Sequence, residues 1–195
     1  MIAFLKGRLA HKEATYVILD VNGVGYRVFI SLNTYSAIKN EEACTLFTHF
    51  HVKEDAQLLY GFTQTAEKQT FQLLISISGV GPNTALMVLS TLSAAELKNA
   101  IVSDDVKTIQ AVKGIGAKTA QRIILELKDK ILKEGVEPEG HLNSSSNRIK
   151  EEALTALVTL GISKNVAEKS IMKILKTADS NISVEELIKG ALKTK

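Results

Sequence analysis

The sequence predicts an α+β protein of several domains: an N-terminal β-barrel, a central helical domain and a C-terminal bundle of three short helices. Three observations predict this order. Residues 1–62 contain short stretches rich in β-forming residues, residues 65–133 show helical periodicity with an internal repeat, and residues 148–195 return to helical periodicity after a polar segment. A chain of 195 residues with 45% hydrophobic residues can form such cores.

The N-terminal part predicts about five strands, at 2–10, 14–21, 25–31, 43–52 and 57–62. Asn22-Gly23 is a strong signal for a two-residue hairpin. A short piece at 33–40 has the composition of about one helical turn. Five short strands with one small helical insert favour a closed barrel of the OB type, with another small β-barrel as the alternative.

Two adjacent carboxylates, Glu54 and Asp55, lie at the predicted turn between the last two strands. A solvated hairpin tip is the usual meaning of such a pair, and metal binding is the alternative. No third ligand stands at convincing spacing. His49 and His51 share one strand face and are expected to be ordinary strand residues rather than a metal pair.

The central part contains one short stretch twice, Gly79-Val80-Gly81 and Gly114-Ile115-Gly116. A shift of 35 positions also aligns the apolar and threonine positions on either side: Leu74 with Ile109, Ile77 with Val112, Thr84 with Thr119, Ala85 with Ala120, Val88 with Ile123, Leu89 with Ile124, and Leu92 with Leu127. The sequence therefore predicts a helix, a glycine hairpin and a helix, repeated once.

Helix boundaries in this part follow from capping residues. Thr65 is expected to cap a helix that runs to about Ser76, and Pro82 suits the first position of the helix after the first hairpin. Ser93 and Glu96 form a capping box. Ser103, with two acidic residues after it, is expected to start a short helix. The last helix is expected at 117–133.

Each glycine hairpin resembles the helix-hairpin-helix motif, which binds the backbone of duplex DNA without reading its bases. Glycine allows positive φ and close backbone approach, and the following helix presents unpaired N–H groups that bind phosphate. The predicted DNA-backbone contacts are Gly79, Val80, Gly81, Asn83 and Thr84 in the first copy, and Gly114, Ile115, Gly116, Lys118, Thr119 and Arg122 in the second.

Charge distinguishes the two copies. Residues 113–133 carry six Lys and Arg against two acidic residues, whereas residues 1–62 are balanced, and the net charge is +3. Lys118 and Arg122 have Asn83 and Met87 as their counterparts, so the sequence predicts a cationic second copy and a neutral, weaker first copy. The alternatives are a solvated helix face and glycines that serve tight helix packing only.

A polar segment at 134–147 has the composition of a flexible linker and predicts a domain boundary. After it, Ala153, Leu154, Leu157, Val158 and Leu160 are expected to form one apolar helix face, and Gly161 to end that helix. Ser163 is expected to cap a second helix, and Ser183 with Glu186 a third. A small bundle on a tether favours an interaction module.

No candidate catalytic site stands in the sequence, and no cofactor or metal is expected. Gly116-Ala117-Lys118-Thr119 only superficially resembles a P-loop, because glycines at the required positions are replaced by Ala117 and Val112. The lone Cys44 fits a reducing compartment. No apolar run approaches the roughly 18 residues of a membrane span, and no secretory signal is evident. We expect a cytoplasmic protein.

Over its full length the chain resembles the RuvA family. The resemblance is carried by the order of the domains, by both glycine hairpins, by the N-terminal stretch, and by Phe47-Thr48-His49-Phe50 and the segment from Glu54 to Phe62. It implies an OB-like barrel (1–63), a tandem helix-hairpin-helix domain (64–133), a linker (134–147) and a UBA-like three-helix domain (148–195).

The same resemblance implies how the parts act. The family recognises Holliday junctions and loads the RuvB hexameric ATPase for branch migration, with the RuvC resolvase in a larger complex. Glu54 and Asp55 would be an acidic pin at the centre of a homotetramer, one or two of which hold the junction. Leu157, Leu160 and Ile162 would dock RuvB.

The sequence therefore leaves three functions open. The first is a structure-specific DNA-binding subunit with no active site. The second is a structure-selective nuclease that uses Glu54 and Asp55 with a divalent metal. The third is a protein-interaction adaptor whose glycine hairpins are only structural.

Overall fold

The computed structural model describes residues 1–39, 43–134, 145–175 and 182–193. The chain falls into two compact units, Met1–Val136 and Glu137–Lys195. Among the described residues, no single helix is long and apolar enough to cross a membrane. One pair, at 82–91 and 94–102, meets the length and composition criteria only jointly and is bent by 94°.

Within the described residues, five strands close into a barrel in the order β1-β2-β3-β5-β4. Neighbouring strands are antiparallel, except that β3 and β5 run parallel. The Asn22-Gly23 hairpin is confirmed, since both residues have positive φ, 52° and 87°. The strands and the short helix that follows β3 are β1 Phe4–Lys12, β2 Tyr16–Val21, β3 Val24–Ile30, α1 Leu32–Ala37, β4 Ala43–Val52 and β5 Gln57–Phe62.

Alternation of side chains gives the barrel an inner and an outer apolar face. Val17, Leu19, Val28 and Leu46 are buried inside it. On the outer face, Tyr60 and Phe62 join the core of the helical domain, where the centroid of each ring lies 5.1 Å from that of the Phe71 ring. The barrel therefore has its own inner core, and its outer face contributes to the core of the helical repeat.

The central helices are α2 Thr65–Ile75, α3 Pro82–Thr91, α4 Ala94–Val102, α5 Val106–Gln110 and α6 Ala117–Glu134. Pro82 at the start of α3 and the Ser93–Glu96 capping box before α4 are both confirmed. The two glycine hairpins connect α2 to α3 and α5 to α6, so each hairpin is flanked by the helices that the repeat predicts.

Two predicted helix starts are wrong. Gln64, not Thr65, holds the N-cap position of α2, and its side chain makes no capping hydrogen bond to the described residues. Ser103 ends α4 instead of starting α5, because its hydroxyl donates back to the Asn99 carbonyl at 2.8 Å. Asp105 caps α5 by accepting from the Thr108 N–H at 3.2 Å.

The C-terminal unit contains α7 Ser145–Thr159, α8 Lys164–Leu175 and α9 Val184–Lys193. Gly161 has φ +92° and follows the end of α7, as predicted. The Ser183–Glu186 capping box is present. Of the predicted linker, residues 135–144 lie outside the described residues, whereas residue 134 ends α6 and α7 begins earlier than predicted.

Candidate nucleic-acid interface

The two glycine hairpins have the same backbone structure. Gly79 and Gly114, which are 35 positions apart, have φ of +89° and +88°. The hydrogen bonds around them also correspond. In the first copy, the Val80 N–H donates to the Ile77 carbonyl at 3.0 Å and the Ala85 N–H to the Gly81 carbonyl at 2.9 Å. In the second copy, the Ile115 N–H donates to the Val112 carbonyl at 3.1 Å and the Ala120 N–H to the Gly116 carbonyl at 2.9 Å. The sequence repeat is therefore a structural repeat.

The middle residue of each hairpin anchors it. Val80 and Ile115 are 4% and 5% exposed and belong to the helical core. Their N–H groups are used within the hairpin itself. The buried apolar side chains hold each hairpin in place, and contact of these two residues with DNA stays a prediction, which their backbone atoms would have to fulfil.

The second glycine of each hairpin lies beside open space. A Cβ atom built at Gly81 or Gly116 meets no described atom within 4 Å. Gly81 has φ −85° and ψ 171°, which any residue adopts. Internal packing does not explain glycine at these two positions, so the alternative that they serve tight helix packing is wrong. A bare backbone facing solvent suits close approach of a ligand.

The first turns of α3 and α6, which follow Gly81 and Gly116 directly, leave N–H groups without intrahelical partners. The first intrahelical bonds are donated by Ala85 and Ala120, so the amides before them lie at a helix N-terminus, where phosphate binds favourably. Asn83 and Lys118 are exposed, and Thr84 and Thr119 are half-buried. Pro82 has no N–H, whereas its counterpart Ala117 has one. The second copy therefore offers one more backbone donor.

Arg122 contacts the first hairpin, although it lies in the second copy. Its Nη1 donates to the carbonyl oxygen of Ser78 at 3.0 Å, and its Nε lies 3.9 Å from Glu126 Oε1. Met87, its counterpart, lies beside the other hairpin, with its Sδ 4.0 Å from a Cβ built at Gly114. The predicted neutral first copy is corrected: a guanidinium of α6 lies against it.

Lys130 is a cation near the first copy that the sequence did not single out. Its Nζ donates to Ser76 Oγ at 2.6 Å, at the end of α2. The available signal was its place in the basic stretch 113–133. Lys118 remains the exposed cation at the start of α6. Positive charge is thus distributed over both hairpins.

The acidic tip consists of Glu54 and Asp55, which lie in the turn that connects β4 to β5. Both residues are exposed, and the turn is closed by the Lys53 N–H donating to the Ala56 carbonyl at 2.8 Å. Among the described residues, no group of three or more His, Cys, Asp or Glu could hold a metal ion.

His49 and His51 lie on the outer face of β4, with ring centroids 6.0 Å apart. The His49 ring also packs 5.4 Å from Phe71. Burial lowers the pKa of His49 below its ordinary value, and the nearby His51 and Lys68 act in the same direction. His49 therefore has a packing role against α2, which agrees with its interpretation as an ordinary strand residue.

In the C-terminal unit, the predicted docking residues have different environments. Leu157 is fully buried in the core with Ala153 and Ile171, Leu160 is 63% exposed, and Ile162 is half-buried. Docking through Leu157 stays a prediction, although its side chain packs in the core, and Val158 is exposed rather than part of the inner face. The difference arises because Leu160 lies beyond the last residue of α7.

Comparison with known protein families covers most of the chain. Residues 1–61 match the RuvA N terminal domain, residues 71–129 match a SAM-like Helix-hairpin-helix tandem, and residues 149–194 match the RuvA C-terminal domain. These matches follow the order of the barrel, the hairpin repeat and the C-terminal helices.

Several relatives align with this chain over nearly its full length. Proteins named Holliday junction branch migration complex subunit RuvA are 52% identical in Cytophaga hutchinsonii, 53% in Christiangramia forsetii and 47% in Amoebophilus asiaticus. Each alignment covers 99% of this chain and at least 99% of the relative. The chain therefore belongs to the RuvA family.

Proposed function

We propose that this chain is the DNA-binding subunit of a branch migration complex. It binds four-way Holliday junctions by their shape, without base readout, and supports branch migration in recombination and repair. It supplies no catalytic group, and the ATPase belongs to a RuvB-type partner. Its relatives are named branch migration complex subunits, and nothing favours the nuclease that the sequence left as an alternative.

The observation that carries this proposal is the pair of matching hairpins, in each of which the second glycine, Gly81 or Gly116, faces open space. Backbone N–H groups at helix N-termini bind phosphate regardless of sequence, and Lys118 and Arg122 add charge. Such contacts hold a duplex arm by its backbone. Selectivity for a junction must then come from how several copies are arranged.

The acidic tip supplies the second part of the argument. A carboxylate facing phosphate disfavours close approach. Glu54 and Asp55, brought together from four copies, would exclude duplex from the crossover and keep the arms apart. We therefore propose a homotetramer, with one or two tetramers on each junction. Sedimentation of the full chain with and without junction DNA tests this stoichiometry.

The C-terminal unit is proposed to dock the RuvB-type ATPase through Leu160 and Ile162. Both residues lie just after the end of α7, on either side of Gly161, and Leu160 is the more exposed of the two. A RuvC-type resolvase is proposed as a further member of the complex. We propose that the chain acts in the cytoplasm.

A gel-shift comparison tests the main proposal. The full chain is titrated into a four-way junction and into linear duplexes of the same length and of several sequences. We expect tighter binding to the junction and similar affinity for all duplex sequences. Equal affinity for junction and duplex would refute the proposal. Junction cleavage in Mg²⁺ that is lost in Glu54→Gln would establish the nuclease instead.

A further inference from the structure

Glu67 is a buried carboxylate between the barrel and the helical repeat. It lies in the first turn of α2 and is 8% exposed. Its Oε1 accepts from the hydroxyl of Ser31, and its Oε2 accepts from the hydroxyl of Thr34 at 2.8 Å. Ser31 and Thr34 are both fully buried. A buried charge is costly unless it is hydrogen-bonded, so this arrangement requires both hydroxyls.

The two hydroxyls belong to one short helix. Ser31 is the N-cap of α1, and its Oγ also accepts from the Thr34 N–H at 3.0 Å. The carboxylate of Glu67 therefore lies at the N-terminal end of α1, where a negative charge is favoured. Helix α2 is in this way bound to the segment that directly follows strand β3.

The same helix α1 also holds α3. Asn33 Nδ2 donates to the carbonyls of Leu89 at 2.6 Å and Leu92 at 3.3 Å, and the Leu32 N–H donates to Ser90 Oγ at 3.0 Å. Leu89 and Leu92 lie at the end of α3, where carbonyls lack helical partners. Helix α1 thus joins α2 and α3, the two helices on either side of the first glycine hairpin.

On its barrel side, α1 follows strand β3, which pairs with β5, the strand that begins after the acidic tip. Strand β3 ends directly before Ser31 and pairs in parallel with β5, with Phe29 opposite Tyr60 and Ile30 opposite Gly61. Strand β5 begins immediately after the turn that carries Glu54 and Asp55. Helix α1 therefore links the strand beside β5 with the first turn of α2 and the last turn of α3, which are the ends of these two helices away from the first hairpin.

We propose that Ser31, Thr34 and Glu67, here named the α1 bracket, position the acidic tip relative to the glycine hairpins and thereby set junction selectivity. The proposal rests on the proposed function. The bracket residues touch no DNA, and they act by orientation. Aromatic contacts of Phe71 also join the two parts, but apolar packing adapts to small rotations, whereas hydrogen bonds have fixed directions.

The test compares Thr34→Val with Thr34→Ser in the full chain. Valine keeps the shape of threonine but removes the hydroxyl that binds Glu67, and serine keeps the hydroxyl. The matched control is Thr48→Val. Thr48 is also buried, but its hydroxyl donates to the Ile2 carbonyl at 2.8 Å, within the barrel. Affinities for a four-way junction and a linear duplex are measured for each variant.

We expect Thr34→Val to lower the ratio of junction to duplex affinity by about threefold or more, as for other directly coupled groups. Duplex affinity should stay near the wild-type value, because the hairpins are intact. Thr34→Ser should restore the ratio, and Thr48→Val should leave it unchanged. Glu67→Gln, which keeps the side-chain shape, should act like Thr34→Val.

Three outcomes overturn the inference. In the first, Thr34→Val keeps the wild-type ratio of junction to duplex affinity. In the second, it lowers both affinities equally. In the third, Thr48→Val lowers the ratio as much as Thr34→Val does, so that a general loss of stability explains the effect. The wild-type protein separates these failures from a failure of the proposed function. A wild-type chain without junction preference refutes the proposed function and with it the bracket's role.

Discussion

The guanidinium of Arg122 donates to the carbonyl oxygen of Ser78 at 3.0 Å and so joins the second copy of the repeat to the first hairpin. Met87 occupies the equivalent place beside the second hairpin. A side chain from the other copy of the repeat therefore lies beside each hairpin. Helix α6, which begins after the second hairpin, therefore also contacts the first.

The cations should set the salt dependence of binding. We expect Lys118→Ala and Arg122→Ala each to weaken binding to all duplex sequences alike. Each should reduce the slope of log affinity against log salt by about one, because one phosphate contact is lost. Lys6→Ala, on the barrel, is the control. An unchanged slope in the Lys118→Ala, Arg122→Ala double variant would contradict phosphate contacts at these residues.

A cation in place of Met87 should strengthen the second hairpin. Met87 is 42% exposed and lies beside Gly114, just as Arg122 lies beside the first hairpin. We expect Met87→Arg to raise duplex affinity at low salt and to steepen the salt slope by about one. Met87→Gln, which is polar but neutral, is the control. Equal affinities of these two variants would show that position 87 faces no phosphate.

The two glycines of a hairpin should respond differently to alanine. Gly114 has φ +88°, so Gly114→Ala should lower the free energy of unfolding by about 1–2 kcal/mol. Gly116→Ala should leave stability unchanged, since its Cβ faces open space. It should weaken DNA binding by about fivefold, equivalent to one hydrogen bond of about 1 kcal/mol. Denaturant unfolding and duplex titration measure the two effects. Full DNA affinity in Gly116→Ala would place the ligand elsewhere.

The acidic tip should oppose duplex binding. We expect Glu54→Gln with Asp55→Asn to increase affinity for linear duplex and to reduce the preference for a junction, because repulsion of phosphate is removed. The increase should disappear at high salt, where exposed charges are screened. Titrations at two salt concentrations provide this internal control. A loss of duplex affinity would indicate that the carboxylates bind rather than repel.

Acid should weaken the helical repeat through its capping box. Hydrogen bonds from the Ser93 N–H and then the Ser93 hydroxyl lower the pKa of Glu96 below its ordinary value of 4.5. A carboxyl whose pKa is lowered by folding stabilises the folded state above the unfolded pKa, and this contribution is lost as pH falls through the folded pKa. Stability should therefore decrease below about pH 4.5. In Ser93→Ala this part of the decrease should be smaller, as measured by denaturant unfolding from pH 7 to 3.

Leu157 and Leu160 should separate folding from partner binding. Leu157→Ala should destabilise the C-terminal unit by about 2–5 kcal/mol, because its side chain is fully buried. Leu160→Ala should leave stability nearly unchanged and weaken binding to the RuvB-type ATPase. Thermal unfolding and a pull-down with the ATPase measure the two effects. Wild-type ATPase binding by Leu160→Ala would move the docking surface elsewhere.

Much of the fold was predictable because its signals are local. Asn22-Gly23, Pro82 and the two Ser–Glu capping boxes each act through their own backbone neighbours, and the structure contains all of them. The errors were also local. Ser103 has the composition of an N-cap, but its hydroxyl bonds backward to Asn99, and only the competing cap at Asp105 decides between the two.

The candidate site was predictable in its residues but not in its geometry. The 35-residue shift identifies both hairpins, and the basic stretch identifies Lys118 and Arg122. Which hairpin Arg122 contacts depends on how α6 packs beside α2, and no spacing rule states that. Leu157 and Leu160 are both apolar and one turn apart, yet the end of α7 at Thr159 buries one and exposes the other.

The sequence by itself determined the order of strands and helices, the repeat and the positions of its glycines, because backbone preference and periodicity act over a few residues. Tertiary structure decided the rest. Glu67 meets Ser31 and Thr34, which lie more than 30 residues earlier, and Arg122 meets Ser78 across two copies of a repeat. Such contacts form only when packed cores bring distant segments together, and they join the barrel to the helical repeat and one copy of the repeat to the other.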